Sequence, residues 1–126
     1  MSKFLIDSDV IIWHLRGQVK TKELLANLQR AGVPACSSFS ILEVQIGVKE
    51  GEEKKTDFFL NSLKIYEVDR DIANEAARYV REYKKKGITL SLPDAVIAAT
   101  CVIYELILVT YNPKHYFIPG LRLYPW

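Results

Sequence analysis

Two periods of apolar residues run through this chain, one typical of strands and one typical of helices. The run Phe4-Leu5-Ile6 is broken by two acids one residue apart, Asp7 and Asp9, before apolar residues resume and stop at Gly17. That pattern predicts a buried first strand, a turn carrying Asp7, and a short helix ended by the glycine. Residues 20–31 carry Leu24, Leu25 and Leu28 at helical spacing, with Gly32 placed to close the helix. Residues 33–37 read as a second strand, with Pro34 near its start, where proline is tolerated. Ser38 or Ser40 can cap the next helix, which runs through Ile41, Val44 and Val48 to Gly51; Glu43 is its third residue if Ser40 is the cap. A charged turn over 50–55 leads to a helix through Phe58, Phe59, Leu60 and Leu63. Residues 65–68 then alternate like a half-buried strand.

Asp69 or Asp71 opens a long helix with an apolar stripe of Ile72, Ala76, Tyr79, Val80 and Tyr83. Lys84, Lys85, Lys86 and Gly87 close it with charge that suits a helix C-terminus. A loop over 88–92 precedes Pro93, suited to the first helical position, and Asp94. Residues 95–103 are apolar or small on every side, which predicts a helix buried all round. Residues 106–110 are the most strand-like run, 111–120 form a loop, and 121–124 can add an edge strand. Strands alternating with helices imply right-handed crossovers. The expected fold is one three-layer α/β/α domain over 1–126, around a mainly parallel sheet of four to five short strands. In such a domain crossover helices run antiparallel to the strands, so their N-termini gather at the strands' C-terminal edge, where open sheets bind ligands. Asp7 ends strand one, Glu43 falls in the first turn after strand two, Asp94 begins the helix before strand four, and Asn112 follows that strand. Four oxygen-bearing side chains, distant in sequence, are expected on one rim.

Composition narrows the classes. A chain of 126 residues can bury a real core, and 49% hydrophobic with 25% charged residues is an ordinary globular balance rather than a disordered one. The net charge of +2 is too small to argue for nucleic acid, so any basic footprint must be local. Lys84 to Lys86 is the candidate, set against its simpler reading as a solvated helix end. Cys36 and Cys101 lie far apart in apolar surroundings without metal-ligand spacing, and read as small core hydrophobes. No N-terminal segment resembles a signal peptide and no apolar run approaches the ~20 residues of a membrane span, so the expected location is cytoplasmic. His14 and His115 read as structural.

Carboxylates crowded on one rim repel each other, and a divalent cation resolves the conflict. Oxygen-only ligation suits magnesium or manganese rather than zinc, and the reaction such ions serve most naturally is phosphodiester hydrolysis. Each acid also has a plain structural role. Asp7 or Asp9 can cap the first helix, Glu43 can form a capping box with Ser40, and Asp94 suits a helix N-terminus. A shared site explains all three at once.

The stretches Asp7-Ser8-Asp9-Val10-Ile11-Ile12, Glu43-Val44-Gln45-Ile46-Gly47, Leu92-Pro93-Asp94-Ala95-Val96-Ile97-Ala98-Ala99-Thr100 and Val109-Thr110-Tyr111-Asn112 resemble, in order, the motifs of PIN-domain ribonucleases. The short form, closing with Lys114-His115-Tyr116 and Ile118-Pro119-Gly120-Leu121, is most similar to VapC-type toxins of prokaryotic toxin–antitoxin pairs. The resemblance implies Asp7, Glu43 and Asp94 as the catalytic, metal-holding acids, with Thr110, Asn112 and Asp9 in support. The fourth family position is often acidic; Asn112 there would ligate weakly or orient a water. The resemblance further implies a Mg2+- or Mn2+-dependent endoribonuclease that uses a cation-activated water, an RNA substrate, a small antitoxin partner and a homodimer. Two other readings stay open. Asp7-x-Asp9 after a strand also resembles haloacid-dehalogenase-type phosphatases, with Asp7 as nucleophile, although Val10-Ile11-Ile12 stand where small residues are expected. The non-acidic Asn112 suits a PIN-like binding module with a degenerate site.

Overall fold

The computed structural model describes residues 2–125. Strand β1 (Phe4–Ile6) passes through Asp7 directly into α1 (Ser8–Leu15), which ends at Arg16 and Gly17, the glycine taking φ +83°. Helix α2 (Val19–Gln29) returns the chain to β2 (Ala35–Ser37). Helices α3 (Ser38–Ile46) and α4 (Glu53–Asn61) lead to β3 (Lys64–Tyr66). Helices α5 (Arg70–Lys85) and α6 (Leu92–Tyr104) lead to β4 (Ile107–Val109). A 3-10 turn (Pro113–His115) precedes the edge strand β5 (Arg122–Leu123). The sheet has the order β3-β2-β1-β4-β5, and every pairing in it is parallel.

Because side chains alternate across a strand, three residues per strand are enough to feed two cores. Leu5 and Leu108 face α5 and α6, meeting Ile72, Tyr79, Tyr83 and the small residues Ala95, Ala98 and Ala99. Ile6, Val109 and Cys36 face the other way, onto Val10, Ile11, Leu25, Leu28 and Val44. Both faces of the sheet are covered, which is why its central strands carry no exposed polar side chain. Cys36 and Cys101 are buried and free, as core hydrophobes should be. Among the described residues no helix is long and apolar enough to cross a membrane.

Several local expectations need correction. Each crossover holds two helices: α1, α3 and α5 begin just after the C-terminal ends of β1, β2 and β3, and α6 brings Asp94 to the same rim as Asp7. Helix α3 is capped by Ser37, whose hydroxyl accepts from the Phe39 amide at 3.0 Å, and by neither Ser38 nor Ser40. Three serines with equal capping preference stand close together there, and the one that closes β2 takes the role. Glu43 consequently sits in the second turn of α3, outside any capping box. The helix stops at Ile46, with Gly47 as its cap, rather than at Gly51. Helix α6 is not buried all round, since Ile103 and Tyr104 at its C-terminal end are 38% and 42% exposed. Tyr104 there meets the Tyr66 ring of edge strand β3, centroids 4.6 Å apart, and leaves the rest of its surface open.

Leu108 is fully buried at the centre of the sheet, whereas Val33 is 52% exposed. Leu108→Ala should lower the unfolding free energy by about 2–5 kcal/mol in urea titration. Val33→Ala should stay within about 0.5 kcal/mol of the parent. Equal losses in both variants would contradict the two-core arrangement.

Candidate metal centre

Asp7 occupies the step between the central strand and α1. Its amide donates to the Val109 carbonyl at 2.9 Å, continuing the β1–β4 ladder by one bond. Its carboxylate caps α1, Oδ1 accepting from the Ser8 amide at 2.8 Å. The other oxygen, Oδ2, accepts from the Thr110 hydroxyl at 2.9 Å and from the Tyr116 hydroxyl at 2.9 Å. The same Tyr116 oxygen lies 3.1 Å from Asp94 Oδ1. Asp94 stands in the first turn of α6, which Ser91 caps by accepting from the Asp94 amide at 3.2 Å. Two acids from separate elements thus meet at one buried hydroxyl, supplied by the loop after β4.

Glu43 lies to one side of that meeting point. Its Oε1 accepts from the Ser8 hydroxyl at 2.6 Å, and the same hydroxyl lies 3.1 Å from that of Ser40. Glu43 is therefore tied to the residue after Asp7 and not to Asp7 itself. Among the described residues no three acidic, histidine or cysteine side chains are gathered closely enough to ligate one ion together. Asp9 is no cap. Its Oδ2 accepts from the Tyr111 amide at 3.1 Å and from the Asn112 side-chain amide at 2.8 Å, with the Thr110 hydroxyl at 3.5 Å. It clips the start of α1 to the chain leaving β4. Asn112 is engaged by Asp9 through its amide, and Thr110 serves both aspartates while also accepting from the Asn112 backbone amide at 3.1 Å.

The electrostatics of this corner are one-sided. Burial pushes the Asp7 carboxyl up; hydrogen bonds from Tyr116, Thr110 and Ser8 oppose that, and the charge of Asp94 adds to it. Burial, with the neighbouring Asp7 charge, pushes Asp9 up to about 6. Burial and the two flanking carboxylates raise the Tyr116 hydroxyl in turn, so it stays a donor. Asp9 Oδ1 is buried with no partner among the described residues. The His115 imidazole borders the corner, its Nδ1 3.8 Å from Asp94 Oδ2 on the exposed side. An all-oxygen donor set with surplus negative charge fits a hard divalent cation. Magnesium in particular is held by one or two carboxylates, with waters and substrate phosphates completing its shell. Beside Asp94 opens a cavity of about 320 Å³, with Lys114, His115 and Phe117 on its wall.

Three residues of this corner escaped the sequence reading. Ser8 stood in plain view between two acids, but a serine there reads as part of the helix start. His115 read as structural, yet it borders Asp94. Tyr116 lay in a recognised closing segment without a role, and nothing in its local pattern signals contact with residues at both ends of the chain.

Comparison with known proteins bears on the domain as a whole. Residues 4–120 match the PIN domain family. Ribonuclease VapC10 of Mycobacterium tuberculosis (strain ATCC 25618 / H37Rv) is 33% identical over 112 residues, covering 89% of this chain and 84% of that protein. Ribonuclease VapC19 of the same strain is 32% identical over 120 residues, covering 94% and 96%. Among solved structures, VapBC2 from Rickettsia felis bound to a DNA fragment from its promoter superposes with a TM-score of 0.86 at 25% identity, over 98% of each chain. A toxin–antitoxin complex from Klebsiella pneumoniae gives 0.82 at 31% identity, again over 98% of each chain.

The raised aspartates make a signed prediction. The ordinary carboxyl value is 3.8, and Asp9 is pushed up to about 6. Between those values the folded protein holds a proton that the unfolded chain has released. Stability is therefore gained as pH falls through about 6 and lost as pH rises through it, and Asp7 acts in the same direction. EDTA-treated protein should accordingly melt at a higher temperature near about pH 5 than near about pH 7.5, and Asp9→Asn should flatten the difference. A melting temperature that falls over that interval on acidification would contradict the assignment.

Proposed function

As the chain belongs to the PIN-domain family, we propose that it is an endoribonuclease, the toxin component of a type II toxin–antitoxin pair, hydrolysing RNA phosphodiesters. The relatives named as ribonucleases support the substrate, and the solved toxin–antitoxin complexes support a small antitoxin partner. The observation that carries the reading to this chain's own residues is the meeting of Asp7 and Asp94 on one buried hydroxyl.

In this reading Asp7 and Asp94 hold a magnesium or manganese ion, and Glu43 is the third acid of the set. Such a cation, when bound, offsets phosphate charge and acidifies a water to make the nucleophile. Asp7 is aimed by three donors before any substrate arrives, so little reorganisation remains. Glu43 is held by Ser8, the neighbour of Asp7, where it would serve as a further oxygen for the ion or for a water bound to it. Asp9, Asn112 and Thr110 fasten the β4 exit to α1 and so keep the loop that carries Tyr116 in place. Lys114, exposed beside Asp94, offers positive charge to phosphates of the bound strand, and His115 next to it offers a ring nitrogen. The expected compartment is the cytoplasm, and the expected assembly is a two-fold dimer, which sedimentation equilibrium would show as twice the chain mass. The phosphatase alternative needs Asp9 beside Asp7 as a proton donor, but Asp9 is turned to Tyr111 and Asn112.

The test is RNA cleavage with Mg2+, Mn2+ or EDTA, paired with manganese titration. Asp7→Asn, Asp94→Asn and Glu43→Gln should each lower cleavage by about 10²-fold or more while keeping the fold. No covalent protein intermediate should form. Undiminished cleavage in EDTA would exclude the mechanism, and failure to bind manganese together with failure to cleave would favour the binding module.

A further inference from the structure

We propose that Tyr116 is a positioning residue of this metal centre, its hydroxyl holding the place between Asp7 and Asp94 that a cation takes over. The inference rests on the reading above, in which these two acids bind the ion. Its ground is the acceptor geometry of Asp7. A carboxylate oxygen has two lone-pair directions, and on Oδ2 they are taken by Thr110 and Tyr116, each at 2.9 Å. Oδ1 accepts the Ser8 amide at the start of α1, and Oδ2 is the oxygen joined through Tyr116 to Asp94, so it is the one that a cation shared by the two acids would meet. A cation approaching Oδ2 must displace one donor.

The two donors differ in how firmly they are held. Both are buried, but Thr110 stands directly after β4 and its hydroxyl also accepts from the Asn112 amide. Tyr116 follows the 3-10 turn, and its own amide bonds only to the Pro113 carbonyl within that turn. The cavity of about 320 Å³ lies between this segment and residues 88–91, which gives the segment room to shift. Tyr116 is therefore the donor that yields.

Its hydroxyl is also an incomplete stand-in. It has one hydrogen and two carboxylates to serve, at 2.9 and 3.1 Å, so it can satisfy only one of them at full strength. A divalent ion satisfies both. The tyrosine thus keeps the two acids converged while leaving a deficit that favours its own replacement. Asp7 and Asp94 need not find each other when the ion arrives, but binding is weakened by the bond that must be given up.

The experiment is manganese titration of EDTA-stripped, RNA-free protein, followed by calorimetry and by the spin resonance of free Mn2+. Tyr116→Phe keeps the buried ring and removes the competing donor, so it should bind manganese about tenfold more tightly, the ratio equivalent to roughly 1.4 kcal/mol. Affinity that is unchanged or weaker in Tyr116→Phe overturns the proposal. Tyr83→Phe is the control, because that hydroxyl also sits in the same core but donates to the Phe117 carbonyl at 3.0 Å, away from the acids. It should leave affinity alone; equal tightening there would mean general loosening of the loop and would also overturn the proposal. Asp94→Asn separates this idea from its premise. Loss of manganese affinity in that variant upholds the metal centre whatever Tyr116→Phe does, and unchanged affinity removes the metal centre and the role of Tyr116 together.

Discussion

Everything at this site depends on the pairing of β1 with β4. Phe4, Leu5 and Ile6 lie opposite Ile107, Leu108 and Val109, and the Asp7 amide adds one more bond to Val109. That ladder joins the first strand to one near the other end of the chain. It brings the acid closing β1 against Thr110 and the loop behind it. Each strand is buried on both faces, so a slip of one residue would exchange the two cores and is strongly disfavoured. The register that protects the core is the same register that sets the carboxylate geometry.

The arrangement around Asp7 is built from donors that carry no charge. A backbone amide and two hydroxyls hold it, a hydroxyl holds Glu43, and amides hold Asp9. Neutral donors orient a carboxylate without cancelling its charge, whereas an arginine or lysine in the same place would do both. The corner therefore stays electrically unsatisfied, as the raised Asp7 and Asp9 reflect. His115, half-exposed beside Asp94, lies outside this inner ring.

Most of the fold was legible because its signals are local. Short apolar runs gave the strands, glycines gave the ends of α1 and α2, and the stripe from Ile72 to Tyr83 gave α5. That Asp7 and Asp94 would share one rim was legible, because strand–helix alternation alone puts a strand's end and a helix's start there. Glu43 was harder, since its turn depends on which of three serines caps the helix, and Ser37 does so as the residue that closes β2. Of the acids' partners, Asn112 was expected on the rim and Thr110 in support, but Ser8 and Tyr116 were not legible. Tyr116 reaches both aspartates through an irregular loop, whose path no periodicity encodes. The exposed end of α6 is not legible for a related reason: an apolar helix shows no sign in its own sequence of which of its residues will lack a neighbour.

The span between Asp7 and Tyr116 also matters for timing. The two residues that touch are 109 positions apart. A chain under synthesis possesses β1 and its acid long before it possesses β4, Thr110 or the tyrosine, and contacts between such distant segments form late in folding. Until then Asp7 has its capping bond to Ser8 but no converged partner. A chain cut short before β4 would therefore keep the bond from the Ser8 amide to Asp7 but lack the Thr110 and Tyr116 hydroxyls that hold its other oxygen.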